Sequence, residues 1–346
     1  MKSKKTIFNL IFLLVCFCLT MYYVFHGQDL ESLLHYIKRA NWWYWLIGVV
    51  LVIGFILSES VIIFYMMKSL KQKIKISHCF LYSFIGFFFS LVTPSASGGQ
   101  PAQILFMKKD KLPIHLSTLV LMIVTITYKL VLVIFGLIVL IIRPAKIIMY
   151  LQPVMHWMYL GIVLNIVCVG VMLMLVFSPN LARKIVMSIF RLVKRIAKSE
   201  KVDSFEHRLE KSIDGYNDAA EFFRNNTKII INVLLITVLQ RCFLFYITYL
   251  VFISFGTKSL PMVDIVVLQA MISMAVDMLP LPGGMGISEH LFQMIFLPIC
   301  GISITVPAMI VSRGISFYTQ LLISALFTVI AYFIFFKGSD KNDRIL

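Results

Sequence analysis

The sequence has few of the features that identify a soluble enzyme. It contains no Gly-x-x-x-x-Gly-Lys phosphate loop and no His-Glu-x-x-His motif, and the glycine-rich run at 283–286 follows no Rossmann strand. Its six cysteines form no Cys-x-x-Cys pair and lack metal-like spacing to histidine, so we interpret them as small buried apolar residues. We therefore expect no catalytic residue, no metal site and no cofactor.

Long apolar runs are what the chain has instead. Hydrophobic residues make up 60% of it and the mean hydropathy is +0.91. Runs of about 20 apolar residues match the roughly 30 Å hydrocarbon core of a bilayer. This pattern predicts an all-α polytopic membrane protein, with residues 1–346 forming a single integral membrane domain. We expect six full spans, near 6–25, 42–67, 116–142, 157–177, 229–255 and 305–336.

Two further apolar segments, 79–107 and 262–300, are interrupted by proline and glycine. The breaks read Thr93-Pro-Ser-Ala-Ser-Gly-Gly-Gln-Pro-Ala-Gln103 and Leu279-Pro-Leu-Pro-Gly-Gly-Met-Gly-Ile-Ser-Glu289. Because lipid supplies no hydrogen-bond partners, non-helical backbone at membrane depth is tolerated only where protein buries it or it lines a water-filled cavity. The breaks therefore predict two re-entrant broken-helix hairpins.

The charges are strongly biased, with 32 basic and 16 acidic residues. With a cytoplasmic N-terminus, the inner segments hold 24 of the basic residues and the outer loops only five. This positive-inside bias explains the charge without nucleic acid, which we exclude as a partner, and places both termini in the cytoplasm. It also makes the first hairpin enter from the cytoplasm and the second from outside. We expect a basic amphipathic linker, 178–228, between the fourth and fifth spans. Its part 181–198 should lie on anionic lipid head groups, and its part 200–228 should be a solvated helix.

The two halves of the chain have matching organisation, repeat 1 at about 42–142 and repeat 2 at about 229–336. Each has a span, a Gly-Gly hairpin and a second span containing a basic residue. Lys129 follows Gly98 by 31 residues, and Arg313 follows Gly283 by 30. The predicted topologies are opposite, so we expect an inverted repeat, an arrangement used by many transporters for alternating access.

Six ionisable residues fall within the predicted membrane depth, where a charge costs about 2.5 kcal/mol or more and usually serves function. They are Glu59, Lys129, Arg241, Asp277, Glu289 and Arg313. The hairpins add glycines that admit close approach of a ligand and polar side chains that can bind it, which are Gly98, Gly99, Gly283, Gly284, Gly286, Ser95, Ser97, Gln100 and Gln103. Together these form the candidate substrate-binding set. Structural ion pairs and tight turns are the alternative interpretation.

The motifs at 95–103 and 279–289 resemble those of the lysylphosphatidylglycerol synthase transmembrane family. That family includes the N-terminal flippase region of the multiple peptide resistance factor, which moves aminoacylated phosphatidylglycerol to the outer leaflet and reduces killing by cationic peptides. The resemblance covers about 6–336 and implies that both hairpins and Glu289 belong to a lipid pathway in a bacterial cytoplasmic membrane. The full-length synthase continues into a transferase domain, whereas this sequence ends at Leu346.

Three functions remain open from the sequence. The leading one is a flippase for an anionic or aminoacylated phospholipid or a polyprenyl-linked glycolipid. The second is lysyl transfer from lysyl-tRNA to phosphatidylglycerol, which we do not expect because the linker is too small to contain a transferase. The third is a scaffold for a separate synthase or glycosyltransferase. A homo-oligomer is compatible with each of them.

Overall fold

The computed structural model describes residues 37–178, 183–184, 187–188, 202–257 and 260–337. The expected first span at 6–25 and most of the amphipathic stretch 181–198 lie outside these residues. The described residues form helices and turns and contain no strand. The helices are α1 Trp43–Ser69, α2 Ile76–Val92, α3 Gly99–Lys109, α4 Ile114–Ile142, α5 Ala145–Leu151, α6 Met155–Phe177, α7 Val202–Asn225, α8 Thr227–Ser254, α9 Met262–Val276, α10 Ile287–Cys300, α11 Ile302–Arg313 and α12 Gln320–Tyr332.

Five helical segments of the described residues are long and apolar enough to cross a membrane. They are Trp43–Ser69, Ile114–Ile142, Ala145–Phe177, Thr227–Ser254 and Ile302–Phe335. They correspond to five of the six predicted spans, so an all-helical, multi-pass membrane fold is confirmed. The third segment begins twelve residues before the predicted 157, because α5 continues through a short 3₁₀ turn at Gln152–Val154 into α6.

The interrupted segments fold as pairs of short helices. α2 packs against α3 so closely that the backbone oxygen of Gly86 lies 2.7 Å from where a Cβ on Gly99 would be. α9 packs against α10 after an equivalent break. Each break contains a 3₁₀ turn with proline at its start, Pro94–Ala96 in the first pair and Pro282–Gly284 in the second.

The two 3₁₀ turns share left-handed φ values at their second and third residues. Ser95 and Ala96 have φ values of +51° and +54°, and Gly283 and Gly284 have +57° and +65°. The prolines that precede them are 188 residues apart (94 and 282), as are the first residues of α4 and α11 (114 and 302). Pairing Gly98 with Gly283 is therefore wrong by three residues. At this offset Gly98 corresponds in position to Gly286, since each is the N-cap of the helix that follows its break, although their φ values are −84° and +84°.

The first long helices of the two halves, α1 and α8, run antiparallel against each other. Trp45 near the start of α1 donates to Ser254 at the end of α8, with 2.8 Å between Nε1 and Oγ. In the middle, the side chain of Gln240 donates to the backbone oxygen of Phe55 at 2.9 Å. Towards the end of α1, Asn232 donates to the hydroxyl of Tyr65 at 3.0 Å. These two helices therefore point in opposite directions.

The linker helix α7 is less solvated than its acidic sequence predicts. It packs on α4, α6 and α8, and one face is buried through Ile213, Ala219, Ala220 and Phe223. These residues recur at helical spacing, and Asp214, Asp218 and Glu221 lie on the exposed face. The prediction of a solvated linker is correct for that outer face and wrong for the inner one.

Candidate functional site

The two proline-glycine breaks contact each other, with Pro282 and Gly284 of the second buried and Ser95 and Ala96 of the first exposed. The 3₁₀ turns pack against each other, and the hydroxyl of Ser95 donates to the backbone oxygen of Leu279 at 3.4 Å. Two chain segments separated by 184 residues are thus brought into contact at their non-helical backbone. Such backbone needs partners in a membrane, and here each break supplies part of the surroundings of the other.

An ion pair closes the second break. Nε of Arg313 donates to Oε1 of Glu289 at 2.6 Å, and Nη2 of the same guanidinium donates to the backbone oxygen of Gly283 at 3.0 Å. Oε2 of Glu289 accepts from the backbone N–H of Gly286 at 2.7 Å and from the hydroxyl of Ser288 at 3.3 Å. Glu289 is 3% exposed. It therefore caps α10 and holds α11 to the break at the same time.

The first break has a neutral counterpart of this contact. The side-chain amide of Gln100 donates to the hydroxyl of Thr125 and, at 3.2 Å, to the backbone oxygen of Leu121 on α4. Thr125 lies 188 residues before Arg313, the same offset that relates the two turns. Gln100 corresponds in the same way to Ser288, which is next to Glu289. In both halves the helix after the break thus contacts the next long helix near this position, through an amide and a hydroxyl in the first half and through an ion pair in the second.

A second ion pair joins the halves. Nζ of Lys129 on α4 lies 2.6 Å from Oδ2 of Asp277, at the C-terminal end of α9, and 2.9 Å from Sδ of Met278. The side chains of the pair are only 12% and 11% exposed. Each charge is balanced by the other within the protein. The structure therefore favours a structural role for this pair over a free charge that binds substrate.

Glu59 and Arg241 do not pair directly. The carboxylate of Glu59 accepts from the side-chain amide of Gln103 at 2.8 Å, which links α1 to α3. The guanidinium of Arg241 lies 2.9 Å from the ring centre of Tyr128, and the residue is 1% exposed. Its Nε and Nη2 have no hydrogen-bond partner among the described residues.

Most of the hairpin glycines are required by packing within the protein. A Cβ on Gly99 would lie 2.0 Å from the hydroxyl of Ser90, and one on Gly98 would lie 2.6 Å from Thr93. A Cβ on Gly283 would lie 1.9 Å from the ring of Phe317. Gly286 differs, since no atom lies within 4 Å of the position of its Cβ. Of these four glycines, only Gly286 faces open space.

A pocket lies beside the second break. Its walls come from α9, α10, α11 and the π-helical turn Gly314–Thr319, and they include the ion pair of Glu289 with Arg313. The other polar groups in its lining are Gln269, Ser273, Ser288, Ser312 and Ser316. Lys129, Arg241, Asp277, Glu59 and Gln103 are not part of this lining, and Ser97 is exposed outside it. The described residues contain no cluster of His, Cys, Asp and Glu that could hold a metal ion.

The chain was compared with models of known protein families. A family model described as the lysylphosphatidylglycerol synthase TM region matches residues 7–324. The chain belongs to this family. The resemblance seen in the sequence motifs is thereby confirmed, and it agrees with the five apolar helices. A search of curated proteins found no match.

Much of the pocket lining of this family member was not predicted from its sequence. Gln269 and Ser273 lie one helical turn apart on α9, and Ser312 and Ser316 lie one turn apart beside Arg313. Polar residues at i and i+4 share a helix face, so this spacing was the available signal. Thr125 was missed as well, because a single threonine in an apolar helix gives no sign of its partner.

Proposed function

We propose that this domain is a lipid transporter that passes a phospholipid head group across the cytoplasmic membrane between its two halves. The observation that carries the proposal is the contact between the two broken helical segments, and the antiparallel packing of α1 against α8 supports it. In many transporters, discontinuous helices from inverted repeats meet at the substrate site, and rocking of one repeat against the other exposes that site to each side in turn.

The pocket beside the second break supports the proposal chemically. Arg313 offers further N–H donors beyond its two bonds to Glu289 and Gly283. A guanidinium suits phosphate because it presents parallel N–H groups in a planar fork. The serines of the lining add neutral hydrogen-bonding groups. The exposed lysines at one end of the bundle, including Lys71, Lys73 and Lys111, suit the anionic cytoplasmic surface.

The test is transport by the purified chain in liposomes that contain a fluorescent phospholipid, scored by quenching from outside. Arg313→Ala and Glu289→Gln should each lower the rate by about tenfold or more, equivalent to about 1.4 kcal/mol in the barrier. Both remove one member of a nearly buried ion pair at the pocket. Arg224→Ala and Glu221→Gln change the same residue types on the exposed face of α7 and should transport at the wild-type rate.

Two results would contradict the proposal. One is a wild-type rate for folded Arg313→Ala and Glu289→Gln proteins, with folding checked by helical content and by a single elution peak. The other comes from a parallel reaction in which the wild-type chain receives lysyl-tRNA and phosphatidylglycerol. Lysylated lipid above a no-protein control would assign a synthase activity instead.

A further inference from the structure

Of the six ionisable residues at membrane depth, four are joined in two ion pairs. These are Glu289 with Arg313 and Lys129 with Asp277, each at 2.6 Å. The remaining acid and base are Glu59 and Arg241. The carboxylate of Glu59 accepts from the neutral amide of Gln103, and no basic side chain of the described residues lies within ion-pair distance of it. Glu59 is thus the membrane-depth carboxylate whose charge has no direct partner.

The position of Glu59 suits a proton as its ligand. An ionised carboxylate without a cation is costly at membrane depth, and acids in such positions mark ion pathways and proton relays. A proton removes this cost because it makes the group neutral. Glu59 is only partly buried, so it is not sealed from its surroundings. A metal cation fits less well, since it needs several converging oxygens, whereas Gln103 presents an N–H to Glu59.

Arg241 is placed to balance the ionised form of Glu59. Next to it on α8, Gln240 contacts the backbone of Phe55, one turn before Glu59 on α1. Long side chains on a helix lean towards the N-terminus of that helix. Because α1 and α8 run antiparallel, the side chains of Glu59 and Arg241 lean towards each other along the helix axes. Nε and Nη2 of Arg241 are buried without a hydrogen-bond partner in the described part of the chain, so they can receive the charge that Glu59 acquires when it loses a proton.

The helices packed around Glu59 contribute few other titratable groups. α2 has none from Ser83 to Val92, and α3 has none before Lys108. The titratable groups at 120–136 of α4, at 233–245 of α8 and in the π-helical turn Gly314–Thr319 are Tyr128, Lys129, Arg241, Cys242 and Tyr318. Lys129 is bonded to Asp277, and the guanidinium of Arg241 stacks on the ring of Tyr128. Within these ranges, the positive charge that has no carboxylate partner is that of Arg241.

We propose that Glu59 is a proton-binding site and that the proton it carries drives the proposed lipid transport. This inference rests on the proposed function and names its coupling ion. The carboxylate takes a proton from hydronium, which leaves water, and later returns it to water on the other side of the membrane. Gln103 lies on α3 of the first broken pair, beside Gly86 of α2, whose missing side chain leaves room for the amide. A change of charge at Glu59 therefore acts directly on the broken pair that contacts the second break.

Proton binding can be measured on the purified full chain in detergent, without transport. The readout is the infrared difference spectrum between acidic and alkaline buffer, in which a protonated carboxyl group gives a carbonyl band separate from the bands of a carboxylate. A band of a carboxyl group removed from bulk water should be present in the wild type and absent in Glu59→Gln. Asp277→Asn and Glu289→Gln change the two paired carboxylates and should keep the band. A wild-type spectrum without this band, or a band that persists in Glu59→Gln, would overturn the proposal.

Gln103→Leu is a second variant, which leaves Glu59 in place. It removes a hydrogen bond that favours the ionised carboxylate, so the pH at which the band is half formed should rise by about one unit. Gln293→Leu, on α10, removes a side chain that contacts Met309 instead and should leave this pH unchanged. An unchanged pH in Gln103→Leu would contradict the assignment to Glu59 even if Glu59→Gln failed to fold.

Coupling is tested in the liposome assay of the proposed function, with a pH difference imposed across the bilayer. A difference of about one pH unit should change the wild-type rate by about fivefold, within the roughly tenfold change in proton concentration. The rate of Glu59→Gln should not respond, whereas Glu221→Gln, on the exposed face of α7, should respond like the wild type.

The two proposals fail in different ways. A wild-type transport rate that ignores the pH difference would refute proton coupling and leave lipid transport standing. Absence of transport by a wild-type chain that shows the infrared band would refute the proposed function and leave the proton site at Glu59 standing.

Discussion

The ion pair of Lys129 with Asp277 should be one of the strongest single contacts between the two halves. Its side chains are 12% and 11% exposed and its atoms are 2.6 Å apart, so solvent screens the pair little. Removing one member of a buried pair costs about 3–5 kcal/mol, because the other charge is left uncompensated. We therefore expect Lys129→Met and Asp277→Asn each to lower the free energy of unfolding by about 3 kcal/mol.

The double variant should lose about 3–4 kcal/mol, less than the sum of the two single losses of about 6 kcal/mol, since neither charge remains to be buried alone. The resulting coupling energy should be about 2–3 kcal/mol, at the upper end for neighbouring residues. The assay is unfolding by sodium dodecyl sulfate in mixed micelles, followed by circular dichroism.

Lys146 and Asp264 provide the matched control. They form the same type of pair at 3.1 Å, but the lysine is 51% exposed. Lys146→Met should therefore cost less than about 1 kcal/mol. If Lys129→Met cost no more than Lys146→Met, or if the two substitutions at the buried pair were additive, the reasoning from burial would be refuted.

Two further predictions use the same unfolding assay. Gly283→Ala should destabilise by about 2 kcal/mol or more, because φ is +57° and the added methyl would lie 1.9 Å from the ring of Phe317, whereas Gly170→Ala, with no atom within 4 Å of its Cβ, should have no unfavourable effect. Asp110→Ala should cost about 1–3 kcal/mol because the buried hydroxyl of Tyr82 loses its acceptor, and adding Tyr82→Phe should recover part of that loss. No loss in Gly283→Ala, or no recovery in the Asp110 and Tyr82 double variant, would contradict these arguments.

The spans could be predicted because the signal is contained in each segment. About 20 consecutive apolar residues fix a helix and its environment without knowledge of its neighbours. The breaks were predictable for the same reason, since clusters of proline and glycine favour turns, whereas single prolines such as Pro298 and Pro307 are tolerated inside α10 and α11. The bounds of α5 and α6 were not, because Pro153 lies in a 3₁₀ turn that continues into α6 instead of ending the helical segment.

The equivalence of the two breaks was missed by three residues because identity of residue type was a poor guide to backbone conformation. Gly98 has a negative φ, and both Gly98 and Gly99 are needed for close packing. In the first break Ser95 and Ala96 adopt the left-handed conformation that glycine adopts in the second break. The position of the preceding proline would have given the correct offset. Serine and alanine rarely adopt a positive φ, so their presence in the sequence does not predict a left-handed turn.

The partners of the charged residues could not be predicted at all. The six ionisable residues were identified one by one, but Lys129 and Asp277 are 148 residues apart in the sequence. Which acid meets which base depends on how the helices pack. The same holds for the serines of the pocket, because a serine in an apolar helix shows which face it occupies only once the neighbours of that helix are known.

The contacts that hold the two breaks to their neighbouring helices differ in strength. The first break is held to α4 by Gln100 and Thr125, a neutral bond with a net value of about 1 kcal/mol. The second is held to α11 by Glu289 and Arg313, a nearly buried ion pair whose rupture costs several times as much. Under a force that acts on both breaks, the contact of the first break with α4 should therefore separate before the contact of the second break with α11.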